Sequence, residues 1–285
     1  WLEAPKPALK GLQRRLLDRI LHRLPVHAAA QAFVPGRDAG SHAARHAGQA
    51  VVAQFDLAAF FPSITARRVR SLWHAVGYPP QVAGLLTGLT TTTLPPARWL
   101  SEPAAMELPP ARRQELMQLY GQPHLPQGAP SSPALANLIA WRLDRRLSGL
   151  ARGCGWRYSR YADDLCFSGG SELRRRFGWL RVQVDRIARD CGFRLQQQKS
   201  RRASANQCQR VTGLVVNVAP QVDRRAVDRL RAILHECQCR GPALANRLEH
   251  PAFREHLRGR IAQVARYHAE KGARLMARFD AVDWR

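Results

Sequence analysis

Two adjacent carboxylates, Asp163 and Asp164, lie between apolar segments in the run Tyr158-Ser-Arg-Tyr-Ala-Asp-Asp-Leu-Cys-Phe-Ser-Gly169. Neighbouring carboxylates repel, and burying one without a partner is costly. Such a pair invites a cation, and ligation by oxygen alone suits magnesium. A third carboxylate, Asp56, stands near the end of the apolar run from Val51 to Leu57. If these segments pair, the three carboxylates converge. Two magnesium ions about 4 Å apart could then clamp the attacking and leaving oxygens of a phosphoryl transfer. That reaction needs positioning and charge neutralisation rather than a covalent nucleophile. No Ser-His-Asp set, Walker loop or zinc motif competes. From Asp-Asp alone the alternative is an Asx turn facing solvent.

The positioning elements follow from pattern. Trp156 to Tyr161 and Leu165 to Ser168 read as strands, and Ala162-Asp163-Asp164 has room only for a tight turn, which predicts a β-hairpin. Val51 to Leu57 reads as a buried strand, and Phe60-Phe61-Pro62-Ser63 as the turn after it. Ser63 or Thr65 then caps a helix through about Val76. Ser132 suits an N-cap and Pro133 a first helical position, opening a helix to about Leu150. A further helix is predicted from about Glu172 to Cys191, then a strand from Phe193 to Gln198 and another from Arg210 to Asn217. Beyond Asp223 helices are predicted at about 223–239, 243–249, 252–269 and 271–281.

Upstream, Trp1 reads as the end of a strand, and Leu9 to Leu24 as a helix closed by Pro25. His42 and His46 are four residues apart with no third ligand in sight, so they read as histidines on a helix surface. Residues 91–124 are treated as a Pro-rich insertion carrying a helix from Ala111 to Tyr120.

The 285 residues allow one large domain or a few packed subdomains, and 45% hydrophobic content supplies a core. A net charge of +24 points to a polyanion, most simply nucleic acid. Of the 45 basic residues 41 are arginine, which a GC-rich genome would also produce. Six cysteines without a C-x-x-C pair read as reduced thiols in a cytoplasmic protein. No apolar run nears the roughly 18 residues of a membrane span. No signal peptide is legible, and Trp at position 1 suggests that the natural N-terminus lies upstream.

Five segments together carry a family resemblance. Asp56-Leu-Ala-Ala-Phe-Phe-Pro-Ser-Ile64 resembles motif A of bacterial reverse transcriptases, and Leu125-Pro-Gln-Gly-Ala-Pro-Ser-Ser-Pro-Ala-Leu-Ala-Asn137 resembles motif B. Tyr161-Ala-Asp-Asp164 resembles motif C. Gly192-Phe-Arg-Leu-Gln-Gln-Gln-Lys199 is similar to motif D, and Arg210-Val-Thr-Gly-Leu-Val-Val-Asn217 to the strand pair leading into the primer grip. Order and spacing match over nearly the whole chain. The Phe-Phe-Pro-Ser and Val-Thr-Gly-Leu-Val-Val-Asn wording is similar to retron reverse transcriptases, as are Leu257-Arg-Gly-Arg-Ile261 and Phe279-Asp-Ala-Val-Asp-Trp284. Two departures stand out: His42 replaces the Asn usual in the Asn-Ala-x-x-His motif, and Gln196 the Asn usual in motif D.

The resemblance implies an α/β (α+β) right-hand polymerase with partial fingers (1–50), a palm with a catalytic β-hairpin (51–218) and a helical thumb (219–285). It implies that Asp56, Asp163 and Asp164 hold two Mg2+ ions, which Mn2+ can replace, with the Leu57 carbonyl as a further ligand. Lys199 would assist the pyrophosphate leaving group, and Phe61 would exclude a 2′-hydroxyl. Gln127 and Gly128 would lie against template and incoming nucleotide, and Arg37 and Lys6 would hold triphosphate. Arg174, Arg175, Arg176, Arg201 and Arg202 are candidates for nucleic-acid phosphates. Implied partners are deoxynucleotides, a structured noncoding RNA that templates and primes, the RNA–DNA hybrid made from it, and a separate effector protein acting in phage defence. Group II intron, diversity-generating and CRISPR-linked reverse transcriptases stay open, as does a catalytically silent RNA-binding scaffold. No maturase, endonuclease or RNase H segment is legible.

Overall fold

Val51–Asp56 forms a strand buried at five of its six residues, as an apolar run must when both sheet faces are covered. In the computed structural model, which describes residues 3–95, 97–98, 101 and 107–284, this strand is central to a four-stranded sheet. The strand end expected at Trp1 and part of the 91–124 insertion lie outside the described residues. In chain order the principal elements are α1 (Pro7–Arg19), α2 (Ala39–Ala44), β1 (Val51–Asp56), α3 (Ala66–Ala75), α4 (Pro80–Thr90) and α5 (Pro110–Gly121). Then come α6 (Ser132–Ile139), α7 (Trp141–Gly153), β2 (Arg157–Tyr161), β3 (Asp164–Gly169), α8 (Glu172–Arg175), α9 (Phe177–Asp190) and β4 (Arg201–Ser204). The last are β5 (Arg210–Val211), β6 (Leu214–Val215), α10 (Arg224–Arg240), α11 (Pro242–Ala245), α12 (Phe253–Tyr267) and α13 (Ala269–Asp280). Among the described residues no helix is long and apolar enough to cross a membrane.

The chain divides into two compact units, Trp1–Asp38 with Ala50–Ser204, and Ala39–Gln49 with Ala205–Arg285. The first holds the sheet, ordered β2-β3-β1-β4 with antiparallel neighbours. Its core is mainly aliphatic with an aromatic cluster on the sheet, where Phe55 meets Phe167 edge-on at 5.9 Å and stacks on Phe177 at 5.7 Å. Leu143, Leu147 and Ala151 form the buried stripe of α7, at the three- and four-residue spacing of a helix face.

In the second unit β5 and β6 form a hairpin whose loop residues, Thr212 (φ 47°) and Gly213 (φ 81°), both take positive φ, as two-residue hairpin loops favour. The segment 210–217 is thus a hairpin rather than one strand. Asp223 caps α10 by accepting from the Arg225 N–H at 2.7 Å. Leu230, Leu234, Leu257, Ile261, Leu275 and Phe279 form the core of this unit's helices. Gly272 abuts Ala265, and a Cβ there would overlap it.

Other elements also differ from expectation. The helix expected through Leu150 breaks at Ala140 (φ −76°, ψ 0°), and the one over 172–191 breaks at Arg176 (φ −90°, ψ 7°). No strand forms at Phe193–Gln198, because three consecutive glutamines offer no apolar alternation to a sheet face. That segment instead crosses the end of β1 through a Leu57–Leu195 bridge, and the pairing strand is β4. His42 and His46 are buried, not on a helix surface; their rings meet edge-on at 5.5 Å. On α2 a Cβ at Gly40 would come within 2.5 Å of the Tyr267 hydroxyl, so α2 lies close to the helix that carries Tyr267. Burial lowers the His42 pKa to about 4.

Candidate active site

The antiparallel register sets Asp56, the last residue of β1, opposite Asp164, the first of β3. Asp163 is held in the turn beside them, its carbonyl accepting from the Leu57 N–H at 3.0 Å. Three carboxylates therefore share one end of the sheet. Burial raises the Asp163 pKa, and the Asp56 charge adds to the rise. Asp164 rises to about 6, from burial first and then from the Asp163 and Asp56 charges. Lys199 is the cation at hand: its Nζ donates to Asp56 Oδ2 at 3.1 Å, and this bond heads the causes raising its own pKa. The segment carrying it is strapped along β1 by Ala58 N–H to Arg194 carbonyl and Gln196 N–H to Asp56 carbonyl, both 2.8 Å. Among the described residues no three His, Cys, Asp or Glu side chains already form a metal cage. The donors are nonetheless all oxygen and electrostatically frustrated, which fits a hard divalent cation.

The other expected site residues are spread around this centre. Phe60 is the core ring, 4% exposed and stacked on Phe193 at 5.5 Å. Phe61 is half-buried, against Phe60 at 5.5 Å and Phe33 at 6.3 Å. Gln127 and Gly128 are exposed, and the N-terminal segment runs alongside them: the Glu3 N–H donates to the Gln127 carbonyl at 2.8 Å. Gly128 (φ 129°) occupies a backbone conformation that side chains rarely adopt. Lys6 is exposed at the N-cap of α1. Arg37 turns its Nη1 to the carbonyls of His27, Ala28 and Ala30, so it ties its own loop together. Arg174, Arg175 and Arg176 are exposed. Arg201 donates to Gln54 Oε1 at 2.9 Å, and Arg202 lies 5.7 Å from the Phe177 ring centre.

Sequence reasoning missed the support beneath the turn. Arg160 is fully buried and forks onto Asp144, Nε to Oδ1 at 2.9 Å and Nη2 to Oδ2 at 2.7 Å. Its Nη1 donates to Asn137 Oδ1 at 3.1 Å and to the Ala162 carbonyl at 3.0 Å. The Tyr158 hydroxyl donates to Asp144 at 2.9 Å. Burial opposes the Arg160 charge, but Asp144 outweighs it and the pKa ends raised. Ala162 sits at φ 55°, costly for a residue with a Cβ, and Arg160 holds that turn from below. The one legible signal was alternation: Tyr158 and Arg160 share a face of β2.

Residues 4–218 match the protein family described as reverse transcriptase (RNA-dependent DNA polymerase). Retron Mx65 reverse transcriptase of Myxococcus xanthus is 41% identical over 283 residues, which is 97% of this chain and 60% of that protein. Retron Mx162 reverse transcriptase of the same organism is 39% identical over 248 residues, covering 82% of this chain and 49% of that protein. The chain therefore spans about half to three fifths of the length of these curated relatives. Among solved structures, telomerase from Candida albicans overlays 95% of this chain and 48% of its own, with a TM-score of 0.42 and 11% identity.

Proposed function

The chain belongs to the reverse transcriptase family, and on that premise we propose that it is an RNA-directed DNA polymerase of retron type. The observation that carries this reading is the set of three carboxylates at one sheet end, with Asp164 pushed up to about 6 by burial and like charge. Asp56, Asp163 and Asp164, with the Leu57 carbonyl, would hold two magnesium ions, and manganese would serve in their place. Bound there, such ions neutralise charge on the reacting phosphate and on the oxygens that attack and leave.

The chain's own groups do the rest. Lys199, already hydrogen-bonded to Asp56, supplies a proton or a positive charge to the departing pyrophosphate. Phe61 presents its ring to the sugar of the incoming nucleotide and leaves no room for a 2′-hydroxyl. Gln127 and Gly128 lie against template and nucleotide, Lys6 takes the triphosphate, and Arg37, whose Nη1 is committed to its own loop, would meet the triphosphate with the rest of its guanidinium. Arg174, Arg175, Arg176, Arg201 and Arg202 meet nucleic-acid phosphates. Residues 1–50, 51–218 and 219–285 act as fingers, palm and thumb. As a retron type the protein would recognise a structured noncoding RNA, prime from one of its 2′-hydroxyls and make a branched RNA–DNA hybrid, in phage defence alongside a separate effector.

Sequencing the nucleic acid that copurifies with the protein tests the biology. A hybrid in which DNA is joined to one defined RNA is expected; intron RNA or random cellular RNA would contradict the retron assignment. Extension of a DNA primer on an RNA template with magnesium tests the chemistry, and no extension by the full-length protein would refute it.

A further inference from the structure

We propose that Trp179, backed by Trp156 and Arg176, is a stacking platform for an unpaired RNA base, separate from the carboxylate site. The proposal rests on the reading that this chain handles RNA.

Trp179 lies in the first turn of α9 and is 39% exposed. Val182, one turn on, is 59% exposed, and Arg186 continues the same stripe, also exposed. Trp179, Val182 and Arg186 thus place an exposed ring, an exposed aliphatic group and a cation along one stripe of α9. The ring is not loose. The Arg176 guanidinium sits 4.3 Å from the Trp179 ring centre and 5.4 Å from that of Trp156. The two indoles meet edge-on at 6.4 Å.

Trp156 is the fixed member, 4% exposed, with its Nε1 donating to Glu172 Oε1 at 2.9 Å. Two glycines make room for this arrangement. A Cβ at Gly169 would come within 2.6 Å of Trp156 Cδ1, and one at Gly170 would collide with the Glu172 carboxylate. Trp156 thus closes the edge of the core, and Trp179 is a second ring that the core does not need.

The chemistry of the occupant follows. Arg174, Arg175 and Arg176 are exposed on the segment entering α9, and Glu172, the acidic group of the cluster, is engaged by an indole. An indole with one face held by the Arg176 guanidinium, next in sequence to the exposed Arg174 and Arg175, suits on its remaining face a ligand with a π face and flanking negative charge, which is a nucleotide in a single strand. Trp156 precedes β2, whereas the Asp163–Asp164 turn follows its other end, about 17 Å away for five strand residues. The base held here is therefore not the reacting nucleotide, and an unpaired loop of a structured RNA presents such a base.

The test uses the full chain with a short RNA–DNA hybrid in excess to occupy the carboxylate site. Binding of a labelled 12-nucleotide oligoadenylate is compared with that of the same strand lacking its bases. The wild type should prefer the base-bearing strand, and Trp179→Leu should erase that preference and weaken binding by about tenfold. Trp179→Phe should keep most of it. Extension of the short hybrid should be the same in all three proteins. Equal affinity of Trp179→Leu and wild type for oligoadenylate, or no preference for bases in the wild type, overturns the proposal. So does an acidic peptide that displaces nothing from the hybrid yet binds in a Trp179-dependent way, since the surface would then be a protein dock. A wild type that binds oligoadenylate through Trp179 but extends no primer would instead sink the polymerase reading and leave the platform standing.

Discussion

Replacing Asp164 by asparagine should stabilise the metal-free protein at alkaline pH. The Asp164 pKa stands at about 6 in the folded protein, against about 3.9 in an unfolded chain. The folded state therefore holds this proton more tightly than the unfolded state. Stability is fully present below about pH 4 and falls as pH rises through 6, where the folded protein must accept a third charge beside Asp56 and Asp163. Two pH units correspond to about 3 kcal/mol at 1.36 kcal/mol each. The carboxylate is only half-buried, and solvent screening reduces the effect to about 1–2 kcal/mol. At about 2–4 °C per kcal/mol for a chain of this size, Asp164→Asn should raise the melting temperature by roughly 2–8 °C. The assay is thermal unfolding from pH 4 to pH 8 with a chelator present. The advantage of the variant should be largest at pH 8 and vanish near pH 4. Magnesium should then stabilise the wild type at pH 8 and the variant much less. A variant less stable than wild type at pH 8, or a difference that ignores pH, would refute the reasoning.

Phe61→Val should raise incorporation of ribonucleotides relative to deoxyribonucleotides, measured as the ratio of the two kcat/KM values. An unchanged ratio with a lower melting temperature would make Phe61 a packing residue, alongside Phe60. Asp144→Asn strands the buried Arg160 charge and should cost about 3–5 kcal/mol in urea unfolding. The double replacement Asp144→Leu with Arg160→Met should recover most of that loss. Replacing Arg174 and Arg175 by alanine should weaken RNA binding and flatten the dependence of log K on log salt by about 0.7 per lost single-strand phosphate contact. An unchanged slope would make them a solvated face.

The centre of the site was legible because its geometry is local. A two-strand run with Ala162-Asp163-Asp164 between leaves no turn but a tight one, and Asp56 at the end of an apolar run can meet it in one register only. The support beneath it was not legible. Arg160 and Asp144 are sixteen residues apart on a strand and a helix, and no local pattern marks two charges that are buried because they have each other. Helix periodicity ran through Ala140 and Arg176 because a single residue with ψ near 0° barely disturbs an apolar stripe. His42 and His46 read as surface groups because α2 packs against residues distant in sequence, as the approach of Tyr267 to Gly40 shows, and no local pattern marks such packing. Trp156 was legible only as the start of a strand, and nothing in the sequence pairs it with Trp179 on a helix further along the chain.

The proposed polymerase activity requires that Asp56, Asp163 and Asp164 organise the cations of nucleotide transfer and do not themselves bind RNA. Single-turnover extension of a DNA primer on an RNA template, measured beside RNA affinity for wild type and Asp163→Asn, tests it most directly. The rate should fall by at least about a hundredfold, as when one electrostatic stabiliser of a transition state is lost, while RNA affinity stays within about twofold of wild type, well inside the tenfold step that 1.4 kcal/mol represents. Near-normal extension by Asp163→Asn, or a loss that RNA affinity follows in parallel, would contradict it.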